Sequence, residues 1–172
     1  MNLYGERVLL RAIEPGDNDM LMAMVNDPEI EHMLGGWSFP VSGERQLDWY
    51  RQLPDDLSTL RCVIENEQSE GIGVVMLTDI DYKNGNAQIH IKLGSDTGRG
   101  YGTEAVRTIV GYAFGELRLK CVYARVNSYN LPSQRMFEKC GFEKEGTLRA
   151  RIYKRGAYHD EYIYSILSGG PS

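Results

Sequence analysis

A glycine-rich stretch, Gly98–Ala105, is the part of the chain whose residue types and spacing most clearly indicate chemistry. It follows a strand-like run and opens a helix-like run. Glycines let a backbone approach a ligand closely, and the first N–H groups of a helix have no partner within that helix. Such N–H groups favour an anion, most often a phosphate. The stretch therefore predicts a phosphate-binding loop, although a glycine-rich turn by itself has low specificity.

Polar and titratable side chains on both sides of this loop could act on a bound ligand. Before the loop, Gln88 and His90 share one face of a predicted strand, because side chains alternate along a strand. An imidazole, with an unperturbed pKa of about 6.5, suits a base at neutral pH. A half-buried strand histidine or a substrate contact is an equally good interpretation of His90. After the loop, Asn127, Asn130 and Ser133 supply amide and hydroxyl groups, and Ser133 could also cap a helix.

The elements that must position these residues follow from hydrophobic spacing and turn signals. The predicted strands cover residues 7–13, 60–65, 71–78, 87–93, 121–126, 142–153 and 158–167. The predicted helices cover residues 20–25, a turn from 27, 42–53, 103–117 and 132–140. An antiparallel meander followed by strand–helix units predicts a mixed α/β fold around one sheet. Residues 1–167 are expected to form a single domain and residues 168–172 a disordered tail.

Composition limits the classes of function. The chain has 172 residues, and its net charge of -5 argues against nucleic acid as a partner, because a phosphate backbone favours a basic surface. No apolar run approaches the roughly 20 residues needed to cross a bilayer. The first residues do not resemble a signal peptide, so we expect no membrane association and a cytoplasmic location. Cys62, Cys121 and Cys140 lack a metal-binding spacing, and no metal is expected.

Four parts of the chain occur in an order and spacing that are highly specific in combination. They are Ala87–Leu93, Gly98–Ala105, Asn127–Phe142, and Glu145–Arg149 followed by Gly156–Asp160 and Tyr164. On these segments the chain resembles the GNAT superfamily of acyl-CoA-dependent N-acyltransferases, and the likeness extends from Arg7 to Leu167. It is most similar to the branch with the Rim-type ribosomal-protein acetyltransferases and the spermidine acetyltransferases. The resemblance implies a GNAT fold: a central, mixed, mostly antiparallel seven-stranded sheet with flanking helices, whose central strand splays from its neighbour after Leu93.

The resemblance also implies acetyl-CoA as cosubstrate and a set of residues that bind it. The N–H groups of the loop would hold the pyrophosphate of CoA at the start of the following helix. Unpaired backbone groups of Ile91 and Leu93 would pair with the pantetheine amides, and Asn130 and Ser133 would approach the coenzyme from the other side. The implied cofactor-binding residues are Ile91, Leu93, Gly98, Arg99, Gly100, Tyr101, Gly102, Thr103, Asn130 and Ser133.

Three departures from the family pattern bear on binding and catalysis. Thr97 occupies the position where a basic or amide residue usually opens the loop. Gln88 occupies the position where many members carry a glutamate that acts as the base. Phe137 occupies the position where many members carry a tyrosine that acts as the acid. A glutamine side chain accepts no proton usefully, and a phenylalanine carries none. His90 is the candidate replacement for the base. Ser133, or solvent, is the candidate acid that protonates the leaving thiolate.

The acceptor implied by the resemblance is a primary amine, bound by the segment Asp27–Tyr50 and the last hairpin. Acidic and aromatic side chains such as Glu31 and Trp37 suit an alkyl-ammonium group, and Gln88 and His90 complete the predicted substrate-binding set. A polyamine, a protein N-terminus, an aminoglycoside and an amino sugar remain open as acceptors, and a homodimer is compatible with the sequence. The alternative function is a non-catalytic acyl-CoA-binding or regulatory module, which the missing acid and base make conceivable.

Overall fold

A computed structural model describes residues 1–36, 38–53 and 56–169 of the chain. Within these residues the helices are α1 Asn18–Val25, α2 Pro28–Leu34, α3 Gly43–Gln52, α4 Tyr101–Gly115 and α5 Leu131–Lys139. The strands are β1 Leu3–Tyr4, β2 Leu9–Arg11, β3 Leu60–Glu65, β4 Gly71–Asp81, β5 Asn86–Leu93, β6 Cys121–Asn127, β7 Glu143–Lys154 and β8 Ala157–Leu167. The second half of the chain follows the predicted order of elements closely.

The eight strands found among the described residues form one sheet in the order β1-β2-β3-β4-β5-β6-β8-β7. Neighbouring strands are antiparallel except β5 and β6, which are parallel. The mixed, mostly antiparallel sheet with flanking helices is therefore confirmed, but the predicted number of seven strands is wrong. The additional strand is β1, which pairs Leu3 with Leu10 and Tyr4 with Leu9. It is too short to produce a recognisable alternation.

β5 and β6 separate in the middle of the sheet. Their parallel pairing ends at Gln88 and Tyr123. Beyond that point β5 continues to Leu93 along β4, and β6 continues to Asn127 along β8. The separation therefore begins after Gln88, and the predicted position after Leu93 is wrong, because the sequence shows how long a strand is but not where two strands diverge. The edge of β5 that faces this opening can pair with an extended ligand, as an added strand would.

Alternation along β5 divides its side chains between the two faces of the sheet. Ala87, Ile89 and Ile91 are buried in the main core, which α4 covers with Ala105, Val106 and Ile109. His90 and Lys92 point to the opposite face. That face meets α1 in a smaller apolar cluster of Leu21, Met24 and Val74.

Gly100 determines where α4 begins. It is the N-cap residue with a left-handed φ of +84°, and its carbonyl accepts the first helical hydrogen bond from the Glu104 N–H at 3.1 Å. Glycine adopts this conformation without steric cost. The helix therefore starts at Tyr101, and the predicted start at Thr103 is wrong by one half-turn. The N–H groups of its first turn, up to Thr103, remain available for a ligand.

The last described residues are tied to the body of the protein. The Ser168 N–H donates to the Lys120 carbonyl at 2.9 Å, and the Ser168 carbonyl accepts from Lys120 Nζ at 3.0 Å. Residues 170–172 of the predicted tail lie outside the described residues. Among the helices of the described ranges, none is long and apolar enough to cross a membrane.

Candidate active site

A cleft of about 390 Å³ extends from the glycine loop along the open edge of β5, and we call it the cofactor cleft. Its walls come from β5, the first turn of α4, the first turns of α5 and the end of α2. The lining residues are Met33, Leu34, Ile91, Leu93, Thr97, Gly98, Gly100, Gly102, Thr103, Asn130, Pro132, Ser133 and Met136. Of the predicted cofactor-binding residues, Arg99 and Tyr101 do not contribute to this lining.

The three glycines of the loop have different roles. Gly98 and Gly100 adopt left-handed φ values of +76° and +84°, so a side chain at either position would strain the backbone. Gly102 instead lies in the first turn of α4. A Cβ atom there would lie 3.2 Å from Met136 Sδ and 3.4 Å from Leu93 Cδ1. Gly102 therefore allows α4 to pack closely on β5 and α5, while Gly98 and Gly100 shape the turn.

The side chains of Arg99 and Tyr101 point away from the cofactor cleft. Arg99 is 67% exposed and lies 3.6 Å from an oxygen of Asp96. Tyr101 is buried, and its hydroxyl donates to Glu67 Oε2 at 3.0 Å, a hydrogen bond that raises the pKa of Tyr101. Any contact of these two residues with a pyrophosphate would therefore come from their backbone N–H groups.

Arg7 supports the loop from the other end of the chain. Its Nη1 donates to the Arg99 carbonyl at 3.1 Å, and its Nε donates to Glu104 Oε2 at 3.1 Å. Its guanidinium also lies 4.8 Å from the centre of the Tyr101 ring, within cation–π range. The sequence contains no local signal for this contact, because Arg7 and Arg99 are 92 positions apart.

A narrow second cavity, the junction cavity, occupies the opening between β5 and β6. It is contiguous with the cofactor cleft, since Ile91, Asn130 and Ser133 line both. His90, the candidate base, and Ser133, the candidate acid, thus face the same space. The lining consists of Met33, Leu34, Ile89, His90, Ile91, Lys92, Arg125, Val126, Asn127, Asn130, Ser133 and Phe137.

His90 is held by a side chain that the sequence did not single out. Its Nε2 lies 3.0 Å from the hydroxyl oxygen of Thr78 on the neighbouring strand β4. Burial lowers the pKa of His90, and the charge of Lys92 lowers it further. The lowered pKa favours the neutral imidazole, the form that can accept a proton. When Nε2–H donates to Thr78, the lone pair on Nδ1 is free to accept a proton.

Ser133 does not cap its helix. The cap is Asn130, whose Oδ1 accepts from the Ser133 N–H at 3.2 Å, so the interpretation of Ser133 as the capping residue is wrong. One turn further along α5, Phe137 is buried, lines the junction cavity and packs edge-on against Phe142 at 5.0 Å. Ser133 and Phe137 border the same cavity, because residues four positions apart share one face of a helix.

The amides of Asn127 and Asn130 hold the end of α2. The Nδ2 atoms of Asn127 and Asn130 donate to the Met33 carbonyl at 3.1 and 3.0 Å. Tyr129 adds a hydroxyl that donates to the His32 carbonyl, and its ring stacks on His32 at 4.8 Å. These bonds satisfy carbonyls that the helix end leaves without partners. They also place Met33 against both the cofactor cleft and the junction cavity, a positioning role that sequence reasoning missed.

The structure brings only part of the predicted substrate-binding set together. His90 lines the junction cavity, but Gln88 occupies the last paired position of β5 and does not. Glu31 forms an ion pair with Lys154 and accepts a hydrogen bond from Ser38 at 3.3 Å; the hydrogen bond from Lys154 lowers the pKa of Glu31. Trp37 lies outside the described residues.

A third cavity, which we call the apolar cavity, lies on the face of the sheet opposite α4. It has a volume of about 340 Å³ and is bounded by β4, α1 and α3. Lys92 lines both this cavity and the junction cavity, and the sequence analysis did not single it out. Strand alternation could have identified Lys92, because it lies two residues after His90 and therefore on the same face of β5.

Comparison with known proteins identifies the family. The acetyltransferase (GNAT) domain family matches residues 7–143. An uncharacterized N-acetyltransferase, p20, of Bacillus licheniformis is 34% identical over 96% of this chain and 95% of its own length. The putative ribosomal N-acetyltransferase YdaF of Bacillus subtilis is 30% identical over 94% of this chain and 92% of its own. The chain belongs to the GNAT acetyltransferase family, and the predicted resemblance is confirmed.

Solved structures lead to the same class of protein. The spermidine N-acetyltransferase of Vibrio cholerae in complex with CoA and spermine superposes with a TM-score of 0.87 and 27% sequence identity, over 94% of this chain and 95% of that one. The fold is therefore that of a GNAT enzyme. Together with the family match, this makes the protein an acetyl-CoA-dependent acyltransferase.

Proposed function

We propose that the protein transfers the acetyl group of acetyl-CoA to a primary amine by direct attack within a ternary complex. The observation that carries the proposal is the continuity of the cofactor cleft with the junction cavity at Ile91 and Ser133. A thioester bound along the open edge of β5 would bring its carbonyl to this point. An amine that enters the junction cavity would then meet the carbonyl beside His90.

Binding and orientation supply most of the catalysis in this proposal. The first-turn N–H groups of α4 hold the pyrophosphate, and the cleft lacks aspartate and glutamate among its described lining residues, so an anion meets no repulsion there. The free edge of β5 pairs with the pantetheine arm. Holding amine and thioester in contact converts a reaction between two free molecules into one within a complex, which lowers the barrier substantially.

The chemical step balances with groups that line the junction cavity. The amine nitrogen attacks the thioester carbonyl carbon, the C–N bond forms and the C–S bond breaks. The proton lost by the amine passes to neutral His90, directly or through water. The Ser133 hydroxyl or solvent protonates the departing CoA thiolate. No covalent intermediate with the protein is needed.

The relatives support a small amine as acceptor and an oligomeric assembly. The Vibrio cholerae enzyme is a spermidine N-acetyltransferase, and one of its structures is dodecameric. We therefore infer that this chain also acetylates a small-molecule amine and associates with further copies of itself. Sedimentation of the purified protein would measure the number of copies.

The test of this function is CoA thiol release from acetyl-CoA in the presence of single amines. The panel contains α-amino acids, alkylamines, spermidine, an aminoglycoside and a short peptide, and mass spectrometry identifies the acetylated product. Steady release that depends on one of the amines, with that amine acetylated, is the expected result. Tight CoA binding without acetylation of any amine would contradict the proposal and favour the non-catalytic module instead.

A further inference from the structure

The apolar cavity lies beside the junction cavity, which His90 and Ser133 line. It meets the junction cavity only at Lys92, the one residue common to the described linings of both. A molecule whose amine faces His90 and whose body lies in the apolar cavity would therefore contact Lys92. The other lining residues there are Ile13, Leu21, Met24, Val25, Val41, Arg45, Gln46, Trp49, Val74 and Met76.

The described charged side chains that line the three cavities are all positive or titrate to a positive form. The described residues that line the cofactor cleft, the junction cavity and the apolar cavity include Lys92, Arg45 and Arg125 but no aspartate or glutamate. Arg125 has a carboxylate neighbour, Glu161, at 3.8 Å, which lies outside these linings. A molecule with several ammonium groups would meet like charge at Lys92 and Arg125 in the junction cavity.

Lys92 in particular forms no ion pair with the residues that the structure describes. Its Nζ donates to the Gly35 carbonyl at 3.2 Å, and no carboxylate of the described residues lies within ion-pair distance of it. Glu31, the carboxylate whose charge acts on Lys92, is already paired with Lys154. A partly buried ammonium group with one neutral hydrogen-bond partner is costly, and an anion in contact with it would offset that cost.

We propose that the acceptor is a small primary amine that carries a carboxylate close to the amine and an apolar body, for which an apolar α-amino acid is the simplest example. This inference rests on the proposed function and specifies its substrate class. The carboxylate contacts Lys92, the apolar side chain fills the apolar cavity, and the amine faces His90 in the junction cavity. Acetylation forms the C–N bond of an N-acetyl amino acid and releases CoA thiol.

The first experiment compares kcat/KM for matched acceptors with the purified protein. Leucine and phenylalanine are each paired with the amine that lacks only the carboxylate, 3-methylbutylamine and 2-phenylethylamine, and spermidine and glycine complete the set. A charge-assisted contact predicts that each amino acid exceeds its partner amine by about 10- to 100-fold. Burial of the side chain predicts that leucine exceeds glycine by about 30-fold. A higher kcat/KM for spermidine or for the partner amines overturns the inference and leaves the proposed function intact.

The second experiment replaces Lys92 and compares kcat/KM for leucine with kcat/KM for 3-methylbutylamine in each variant. In Lys92→Met, the ratio of kcat/KM for leucine to that for 3-methylbutylamine falls about 10- to 100-fold, because only leucine loses a charged partner. Lys92→Arg retains part of the ratio, and Lys83→Met, at an exposed turn position, keeps all of it. An unchanged ratio in Lys92→Met overturns the inference.

Calorimetry separates this inference from the proposed function. Leucine is titrated into the protein saturated with CoA, so that binding is measured without acetyl transfer. If no amine is acetylated, the proposed function fails, but leucine binding that is weakened in Lys92→Met still supports the anion contact. Leucine binding that is absent, or equal in both proteins, overturns the inference.

Discussion

His90 is a strand residue whose neighbours make it suited to accept a proton. Burial and the charge of Lys92 keep its pKa below 6.5, and Thr78 binds Nε2 at 3.0 Å. We expect kcat/KM to fall on acidification with a midpoint below pH 6.5, because only the neutral imidazole is a base. His90→Gln should remove this acid limb and lower kcat by about 100-fold. A variant that keeps the limb and changes only the KM for the amine would assign His90 to substrate contact.

Substitutions at Ser133 and Phe137 would show how the CoA thiolate is protonated. Ser133→Ala should lower kcat by about 10- to 100-fold, since CoA thiolate is a fairly good leaving group and needs limited assistance. Phe137 lines the same cavity, so Phe137→Tyr should restore part of the rate in the Ser133→Ala background. Single-turnover acetyl transfer measures both effects. If Ser133→Ala changes only the affinity for CoA, solvent is the acid.

Among the elements, the first turn of α4 is the proposed binding site for the pyrophosphate of CoA. Thr103 lines the cofactor cleft, and an acidic residue in the first turn favours the helix itself. Thr103→Asp should therefore fold normally while weakening CoA binding by about 10-fold or more through repulsion of the pyrophosphate. Thr103→Asn has the same shape without the charge and is the matched control. Equal CoA affinities of the two variants, measured by calorimetry, would contradict the assignment of this loop.

The hairpin β7–β8 holds α2 through two ion pairs of different burial. Lys154 pairs with Glu31 with both side chains largely buried, whereas Arg155 pairs with Glu29 at 2.5 Å with 55% and 70% of the side chains exposed. Lys154→Met should lower the free energy of unfolding by about 1–3 kcal/mol, because it leaves the Glu31 carboxylate without its partner. Arg155→Met should cost less than about 1 kcal/mol. Denaturant unfolding measures both, and an equal loss would show that burial does not distinguish the pairs.

The elements near the site differ in how well the sequence predicts them. The glycine loop, β5 and α5 carry local signals, so the part of the cofactor cleft that they line could be predicted from the sequence. The contribution of Met33 and Leu34 from α2 could not, and the side chains of Arg99 and Tyr101 were wrongly included. The start of α4 could not be predicted from the sequence, because a left-handed glycine takes the N-cap position that a polar side chain usually occupies. The contacts of Arg7 with the loop and of Asn127 with α2 could not be predicted either, since they join residues 92 and 94 positions apart. The Thr78–His90 contact joins consecutive strands and depends on their exact register.

At the scale of the whole molecule, a buried charge network joins β2, β3 and the turn before α1. Arg11 donates to Asp17 at 2.8 Å and to Glu65 at 2.5 Å. Burial raises the pKa of Asp17, but the hydrogen bonds from Arg11 and from the Glu14 N–H outweigh it, and the net pKa lies below 3.8. The network therefore contributes stability that is complete above about pH 5 and is lost as the pH falls through the lower, folded-state pKa.

Asp17→Asn tests this network. The variant should lose about 2 kcal/mol of unfolding free energy at pH 7, because a hydrogen-bonded carboxylate is replaced by a neutral amide. The difference from the unchanged protein should shrink as the pH falls below 4. Urea unfolding across this pH range measures it. A difference that stays constant with pH would show that the charge of Asp17 does not contribute.

Acetyl transfer is proposed to take place within one ternary complex, where the cofactor cleft meets the junction cavity. Initial rates of thiol release, measured while acetyl-CoA and the best amine of the panel are both varied, test it most directly. We expect double-reciprocal lines that intersect, together with protein that never carries an acetyl group by mass spectrometry. Parallel lines with an acetylated protein intermediate would contradict direct attack.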